Sequence, residues 1–147
     1  MDLSQLPLRK RIASLIINEN GLLLIVLVKG RDIWTSLGGG MEEGETPEEC
    51  LTREIKEEVG LTATSVNYFV STPIELAAGS TDKAVQISFY LVEAKGEIRI
   101  DPNEAIEDYR WISAKDFDEI KKGNSIKIGS GLEFYAIPKL IENHLLK

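Results

Sequence analysis

Glu54, Glu57 and Glu58 fall three and four residues apart in the stretch REIKEEVGL, so on a helix their carboxylates project from one face. Three convergent oxygen donors suit a hard divalent cation such as Mg2+ or Mn2+, which takes carboxylates and keeps some of its waters. The spacing has no structural return of its own. Glu54 and Glu58 repel at i,i+4, which costs about 0.2–0.5 kcal/mol in an isolated helix. An acidic solvated face would give the same pattern, and the helix alone leaves both readings open.

The segment just before it narrows the choice. From Gly39 to Leu61 the chain carries Glu42, Glu43, Glu45, Glu48, Glu49, Glu54, Glu57 and Glu58, a third of its 24 acids, opposed by Arg53 and Lys56. The loop GGMEEGET has the G-x-x-x-x-G spacing of a phosphate-cradling loop, but Glu45 stands where that motif needs lysine. Its carboxylates would repel a phosphate. An acidic loop leading into an acidic helix reads as a metal site first, and as a phosphate site only through the metal.

The elements that must hold these residues follow from local signals. Thr46, Pro47 and Glu49 predict a capped helix start, and Gly60 predicts its end. Leu51, Ile55 and Val59 form the apolar stripe opposite the glutamates. Upstream, RIASLIIN and LLLIVLVK flank an ENG turn and predict a β-hairpin. Downstream, strands are expected at SVNYFVST and AVQISFYLVEA, with Val85, Ile87, Phe89 and Leu91 on one face, and at YRWIS, with EIRI as a short edge strand. Ser113 opens a short helix, and Ser130 with Glu133 predicts a second capping box for a C-terminal helix bent or restarted at Pro138. The expected architecture is one α/β domain over residues 1–147, with a mixed sheet and about three helices.

Composition sets limits on function. The net charge is −7 over 147 residues, so nothing attracts a nucleic-acid backbone broadly, and a nucleic-acid polymer is not expected as partner. The apolar run IASLIINENGLLLIVLV is interrupted by Asn18, Glu19, Asn20 and Gly21, which predicts two strands rather than a membrane span. The single cysteine, Cys50, and the absence of a signal-peptide core suit a reducing cytoplasm.

Read from Gly39, the chain has Gly, five residues, Glu45, seven residues, Arg53-Glu54-Ile55, one residue, Glu57-Glu58, one residue, Gly60-Leu61. This pattern resembles the complete signature box of the Nudix hydrolases, the MutT-like family. The similarity extends more softly to the opening hairpin, to WTSLGGG and to EDYRWIS. One position departs from it: Leu37 stands where the family usually has proline, which removes a stiffener from the approach to the loop but no ligand.

The resemblance implies an α/β/α sandwich with a mixed sheet, and a metal site built from Glu54, Glu57, Glu58 and the backbone carbonyl of Gly38. Glu45 and Arg53 would pair to pin the loop against the helix. It implies water attack on phosphorus in a nucleoside diphosphate derivative, with Mg2+ or Mn2+ cancelling charge and making hydroxide available near neutral pH. The general base varies among such enzymes and is left open among the glutamates. A further carboxylate would come from DPNEAIEDYRW, where Glu104 and Glu107 are the candidates and at least one is expected to reach the metals.

Other residues are weighed beside these. Trp34 is a candidate for stacking on a base, against a competing role in packing. Arg31 and Lys29 are candidates for substrate phosphates, against a surface role. Cys50 reads as a small residue filling a gap rather than a ligand, since hard oxygen sites exclude soft sulfur. His144 reads as exposed and idle. The expected substrate is a small nucleotide, most simply a nucleoside triphosphate cleaved to monophosphate and pyrophosphate. ADP-ribose or a nucleotide sugar is the alternative, and a non-catalytic nucleotide-binding module a third. The chain is expected as a monomer or homodimer.

Overall fold

A computed structural model of the chain describes residues 2–77, 79–123 and 125–147. Nine strands and three α-helices occur among them: β1 (Leu8–Ile16), β2 (Leu23–Val28), β3 (Ile33–Thr35), β4 (Gly38–Gly39), α1 (Pro47–Val59), β5 (Thr62–Ser71), β6 (Glu75–Leu76), β7 (Ala84–Lys95), β8 (Ile106–Ile112), α2 (Ala114–Gly123), β9 (Lys127–Ile128) and α3 (Ile137–Glu142).

The strands form two sheets. One has the order β4-β1-β7-β5 with β6 also on β7, and the other the order β8-β2-β3-β9. The first is mixed, because β1 runs parallel to β7 while its remaining pairs are antiparallel. The expected hairpin between β1 and β2 is therefore corrected. The ENG turn exists, closed by the Asn18 side chain accepting from the backbone N–H groups of Asn20 and Leu22 at 3.0 Å each. Beyond it only an isolated bridge, Ile17 to Leu23, links the two strands before they part into different sheets. The reason is burial. Residues Leu23 to Val26 are all buried, so β2 needs cover on both of its faces, which a two-stranded ribbon cannot provide.

That double burial has a clear alternation. Ile12, Ile16, Leu24 and Val26 pack with Leu51, Ile55 and Val59 of α1. Ala13, Leu15, Leu23 and Ile25 pack with Phe117 of α2 and with Leu132, Ala136, Ile137 and Leu140. Helices thus cover both faces of the strands, giving an α/β/α sandwich. Ile87, Phe89 and Leu91 of β7 share the second of these cores, as their alternation predicts.

Two further expectations are corrected. EIRI is not a strand: one backbone bond, from Arg99 to the Val59 carbonyl at 2.8 Å, ties it to the end of α1, and Ile98 and Ile100 lie against that core as loop residues. The C-terminal helix does not start on a Ser130–Glu133 box. The Glu133 N–H donates to the Gly129 carbonyl at 2.9 Å, so the turn begins at Ser130 itself. The next residues, Leu132–Ala136, widen into a π-helical turn before α3, with the Ile137 N–H reaching back to the Leu132 carbonyl. Pro138, which has no N–H to give, follows at once, and the wider turn is how the chain passes it.

No helix among the described residues is long and apolar enough to cross a membrane.

Candidate metal and substrate site

The acidic helix is fixed at both ends and along one side. The Thr46 hydroxyl accepts from the Glu49 N–H and the Glu49 carboxylate from the Thr46 N–H, both at 3.1 Å. Gly60 closes the helix in the left-handed region, with φ of 75°. Cys50, Leu51, Ile55 and Val59 are fully buried, so the helix cannot roll without exposing its stripe. Rotation about its axis is thereby set, and with it the direction of the glutamates.

Arg53 organises the entrance. Its Nε and Nη2 donate to the two Glu45 oxygens at 2.8 and 2.9 Å, a two-pronged ion pair across the loop–helix junction. Glu45 also accepts from the Glu42 N–H at 2.8 Å, which holds the loop in a tight turn. Hydrogen bonding from Arg53 pulls the Glu45 carboxyl down to about 2. Through Nη1, Arg53 also reaches Glu54 at 3.1 Å and Glu57 at 3.4 Å.

The two glycines of β4 let the loop approach. A Cβ on Gly38 would lie 2.2 Å from the Ile12 carbonyl oxygen and 2.9 Å from the Ala13 Cα, so no side chain fits against β1 there. One on Gly39 would sit 3.1 Å from a Glu54 carboxylate oxygen, in the space that carboxylate occupies. Ahead of them, the Leu37 carbonyl accepts from both the N–H and the hydroxyl of Ser14, at 2.7 and 3.1 Å, and the Leu37 side chain is buried against α1. The strand approach is held by β1 in place of a stiff proline.

Glu58 is the most telling of the helix glutamates. Its Oε2 is buried and has no hydrogen-bond partner. Burial raises its pKa, with the neighbouring charges of Glu104 and Glu54 adding to the shift, while the Ala105 N–H opposes it. Burial likewise raises Glu54. A buried, orphaned carboxylate oxygen is costly unless something meets it. Among the described residues, no three His, Cys, Asp or Glu side chains already enclose a point where a cation would sit. Like charges spread when nothing neutralises them, and Arg53 holds Glu54 and Glu57 toward itself. The donor set is nonetheless of hard oxygens, in excess of its one arginine, with one oxygen left over. It fits a divalent cation.

The loop between β7 and β8 brings Glu104 toward this face. The Glu104 N–H donates to the Asp101 carbonyl at 3.0 Å, and the Lys29 N–H donates to the Ala105 carbonyl at 2.8 Å. The Lys29 ammonium donates to the Pro102 carbonyl, so Lys29 secures this loop. Glu107 lies exposed on β8, one residue past buried Ile106, and the charge that reaches Glu58 from this segment is that of Glu104.

A cavity of about 530 Å³ opens beside Glu58 and Gly38. Ala13, Ile87, Phe89 and Leu132 give it apolar walls, and Arg31 lies at its edge. Trp34, a stacking candidate weighed against packing, does not line it. Trp34 is buried in the core with α3, and the Arg110 guanidinium covers its ring at 4.6 Å; its neighbours Ile33 and Thr35 face the cavity instead.

The profile of the NUDIX domain family matches residues 7–129. This chain belongs to the NUDIX domain family. Over 94 residues it is 34% identical to the NAD-capped RNA hydrolase NudC of Pseudomonas putida strain W619, a match covering 64% of this chain and 32% of that protein. It therefore spans about a third of the length of that relative. It is 33% identical over 120 residues to the nucleoside triphosphatase NudI of Escherichia coli O17:K52:H18 strain UMN026, covering 74% of this chain and 84% of that one. In fold it is similar to the E. coli ORF135 protein, with a TM-score of 0.70 at 18% identity over 97% of both chains. The MutT NUDIX hydrolase from Burkholderia pseudomallei gives a TM-score of 0.62 at 22% identity, covering 76% of this chain and 84% of that one.

Within this Nudix fold, one cavity residue escaped the sequence reading. Arg11 lies on β1, half-buried, and lines the same cavity as Glu58. The signal was present: Arg11 and Ala13 alternate on one face of a strand. Nothing local, however, said which residues that face would meet.

Proposed function

We propose that this chain is a divalent-cation-dependent hydrolase that cleaves a pyrophosphate bond in a nucleoside diphosphate derivative, with nucleoside triphosphates converted to monophosphate and pyrophosphate. The observation that carries this reading is the partnerless, buried Glu58 Oε2, set beside Glu54 and Glu104 at the mouth of the cavity. Glu54, Glu57, Glu58 and the Gly38 carbonyl would hold Mg2+ or Mn2+, with Glu104 rather than Glu107 supplying the further carboxylate. Bound there, the cation contributes Lewis acidity and charge neutralisation toward an anionic substrate.

The protein's own part is positioning. Arg53 and Glu45 keep the loop against the helix. A carboxylate of the cluster would accept the proton of the attacking water. An acidic protein thus takes an anionic substrate as its metal complex. The triphosphatase named among the relatives, matched over most of its length, supports the substrate class.

One observation favours the second reading, a two-headed substrate such as ADP-ribose or a nucleotide sugar. The segment between β5 and β7 offers no arginine to a distal group, but Arg11 and Arg31 offer two from β1 and the β2–β3 loop. The capped-RNA hydrolase among the relatives points the same way. A hydrolysis screen of nucleoside triphosphates, ADP-ribose and nucleotide sugars with Mg2+ or Mn2+ decides between them. Faster cleavage of ADP-ribose than of every triphosphate overturns the first choice of substrate, and turnover unchanged in excess chelator overturns the metal reading. Saturating metal should also stabilise the fold, by about 2.7 kcal/mol at one hundred times its Kd.

A further inference from the structure

The cavity is lined by charges of both signs. Glu58 lines it together with Gly38, and so do Arg11 and Arg31. On β1, Ala13 pairs with Gly38 across the strand, and Arg11 is two residues away, about 7 Å along the strand. An arginine side chain spans that distance. Arg11 pairs with Ile87 on the neighbouring strand, Ala13 with Phe89, and all four line the cavity, so Arg11 is built into its floor and is not a passing surface cation.

Its surroundings are unfavourable to its charge. Burial works against the Arg11 guanidinium, and the nearby cations Arg9 and Arg31 work against it further. Among the described residues no carboxylate forms an ion pair with it, although the chain carries 24 acids and 17 Lys and Arg. A half-buried guanidinium with like charges around it and no counter-ion is destabilising until an anion arrives. Its planar fork of N–H donors suits a phosphate in particular.

We infer that Arg11, with Arg31, is a specificity-determining residue that takes a second phosphate of the substrate, one not held by the helix carboxylates. This rests on the pyrophosphohydrolase reading and deepens it: the preferred substrate carries a further anionic group besides the one the cation would hold. That phosphate is either the terminal group of a polyphosphate chain or one borne elsewhere on the nucleotide.

The test uses the full chain with Arg11→Gln and Arg11→Met, the latter keeping the apolar stem. In excess chelator, calorimetric binding of inorganic pyrophosphate should weaken on the order of tenfold or more in both variants, with the ligand-free Tm at or above that of wild type. With metal present, the KM for ATP should rise by a similar factor, while kcat changes far less. A smaller KM change for ADP-ribose identifies the terminal phosphate as the group Arg11 holds. Retention of the ATP effect by 3′-phosphorylated ADP identifies a phosphate elsewhere on the nucleotide. Unchanged pyrophosphate binding and KM overturn the inference. So does an equal rise in KM for ATP and ADP-ribose, which would place Arg11 on the scissile diphosphate, and so does loss of folding in both variants, which would make the residue structural. Because the chelated binding arm needs no turnover, pyrophosphate held through Arg11 in a protein that cleaves no nucleotide would remove the hydrolase reading and leave this one standing.

Discussion

Two helical segments cover opposite faces of the strands, and they begin in opposite ways. α1 starts on a reciprocal Thr46–Glu49 box with Pro47 in its first turn, and it ends on Gly60. The C-terminal segment starts with no side-chain cap and passes through a π-helical turn over Leu132–Ala136 before α3. Both bury their apolar sides equally well: Leu51, Ile55 and Val59 on one, Ala136, Ile137 and Leu140 on the other, all at 0% exposure. The difference lies in what each must aim. α1 presents Glu54, Glu57 and Glu58 from one side, and its ends are locked. The C-terminal segment supplies apolar volume, for which a shifted turn is as good as a regular one.

The largest test of that contrast is catalytic. Glu57→Gln should lower kcat by orders of magnitude with the fold intact, whereas Glu133→Gln on the π-helical turn should leave kcat within about twofold. Comparable losses in steady-state kinetics would break the comparison. Stability should show the two segments as equals. Ile55→Ala and Ile137→Ala each remove a fully buried side chain, and urea titration should give about 2–5 kcal/mol of destabilisation for both. The caps should separate them again. Thr46→Ala should cost about 1 kcal/mol, and Ser130→Ala no more than about 0.5 kcal/mol, because the Glu133 N–H that Ser130 would cap is taken by the Gly129 carbonyl.

The smallest effect is a pH dependence. The Glu45 carboxyl is held below its ordinary value, near 2, by Arg53. A depressed carboxyl stabilises the folded state fully above its unfolded pKa, and that stabilisation fades as pH falls through the folded value. In metal-free protein, the Tm advantage of wild type over Glu45→Gln should therefore shrink as pH is lowered from about 5 toward about 2. A constant difference across that range would mean that the ion pair does not secure the loop.

The same contrast explains what the sequence could disclose. The start, end and buried stripe of α1 are written within fifteen residues, as is the Ser113–Asp116 box that opens α2, so local rules suffice for both. The C-terminal helix carries the same kind of signal in Ser130 and Glu133, but the Gly129 carbonyl takes the Glu133 N–H first. The opening hairpin misled because β1 and β2 each find better cover far along the chain, on β7 and β8. Spacing could not say how Glu104 and Glu107 are placed, since that depends on the Asp101 turn and on Lys29 tying that loop to the end of β2. Trp34 and Arg11 differ for the same reason: which strand face lines a cavity is decided by partners, not by neighbours.

The parallel pairing of β1 with β7 also fixes an order of events. β4, with Gly38, rests on β1, and β1 rests on a strand whose first paired residue is Ala84. α1 has all its helical signals as soon as Gly60 is in place, but the cavity beside its glutamates needs a loop closure across more than half the chain. Such non-local closure is slow relative to helix formation. On a chain emerging from its N-terminus, the acidic segment and its arginines would be present for some time before β7 arrives to complete the cavity beside them. Its affinity for a cation would report the arrival of β7.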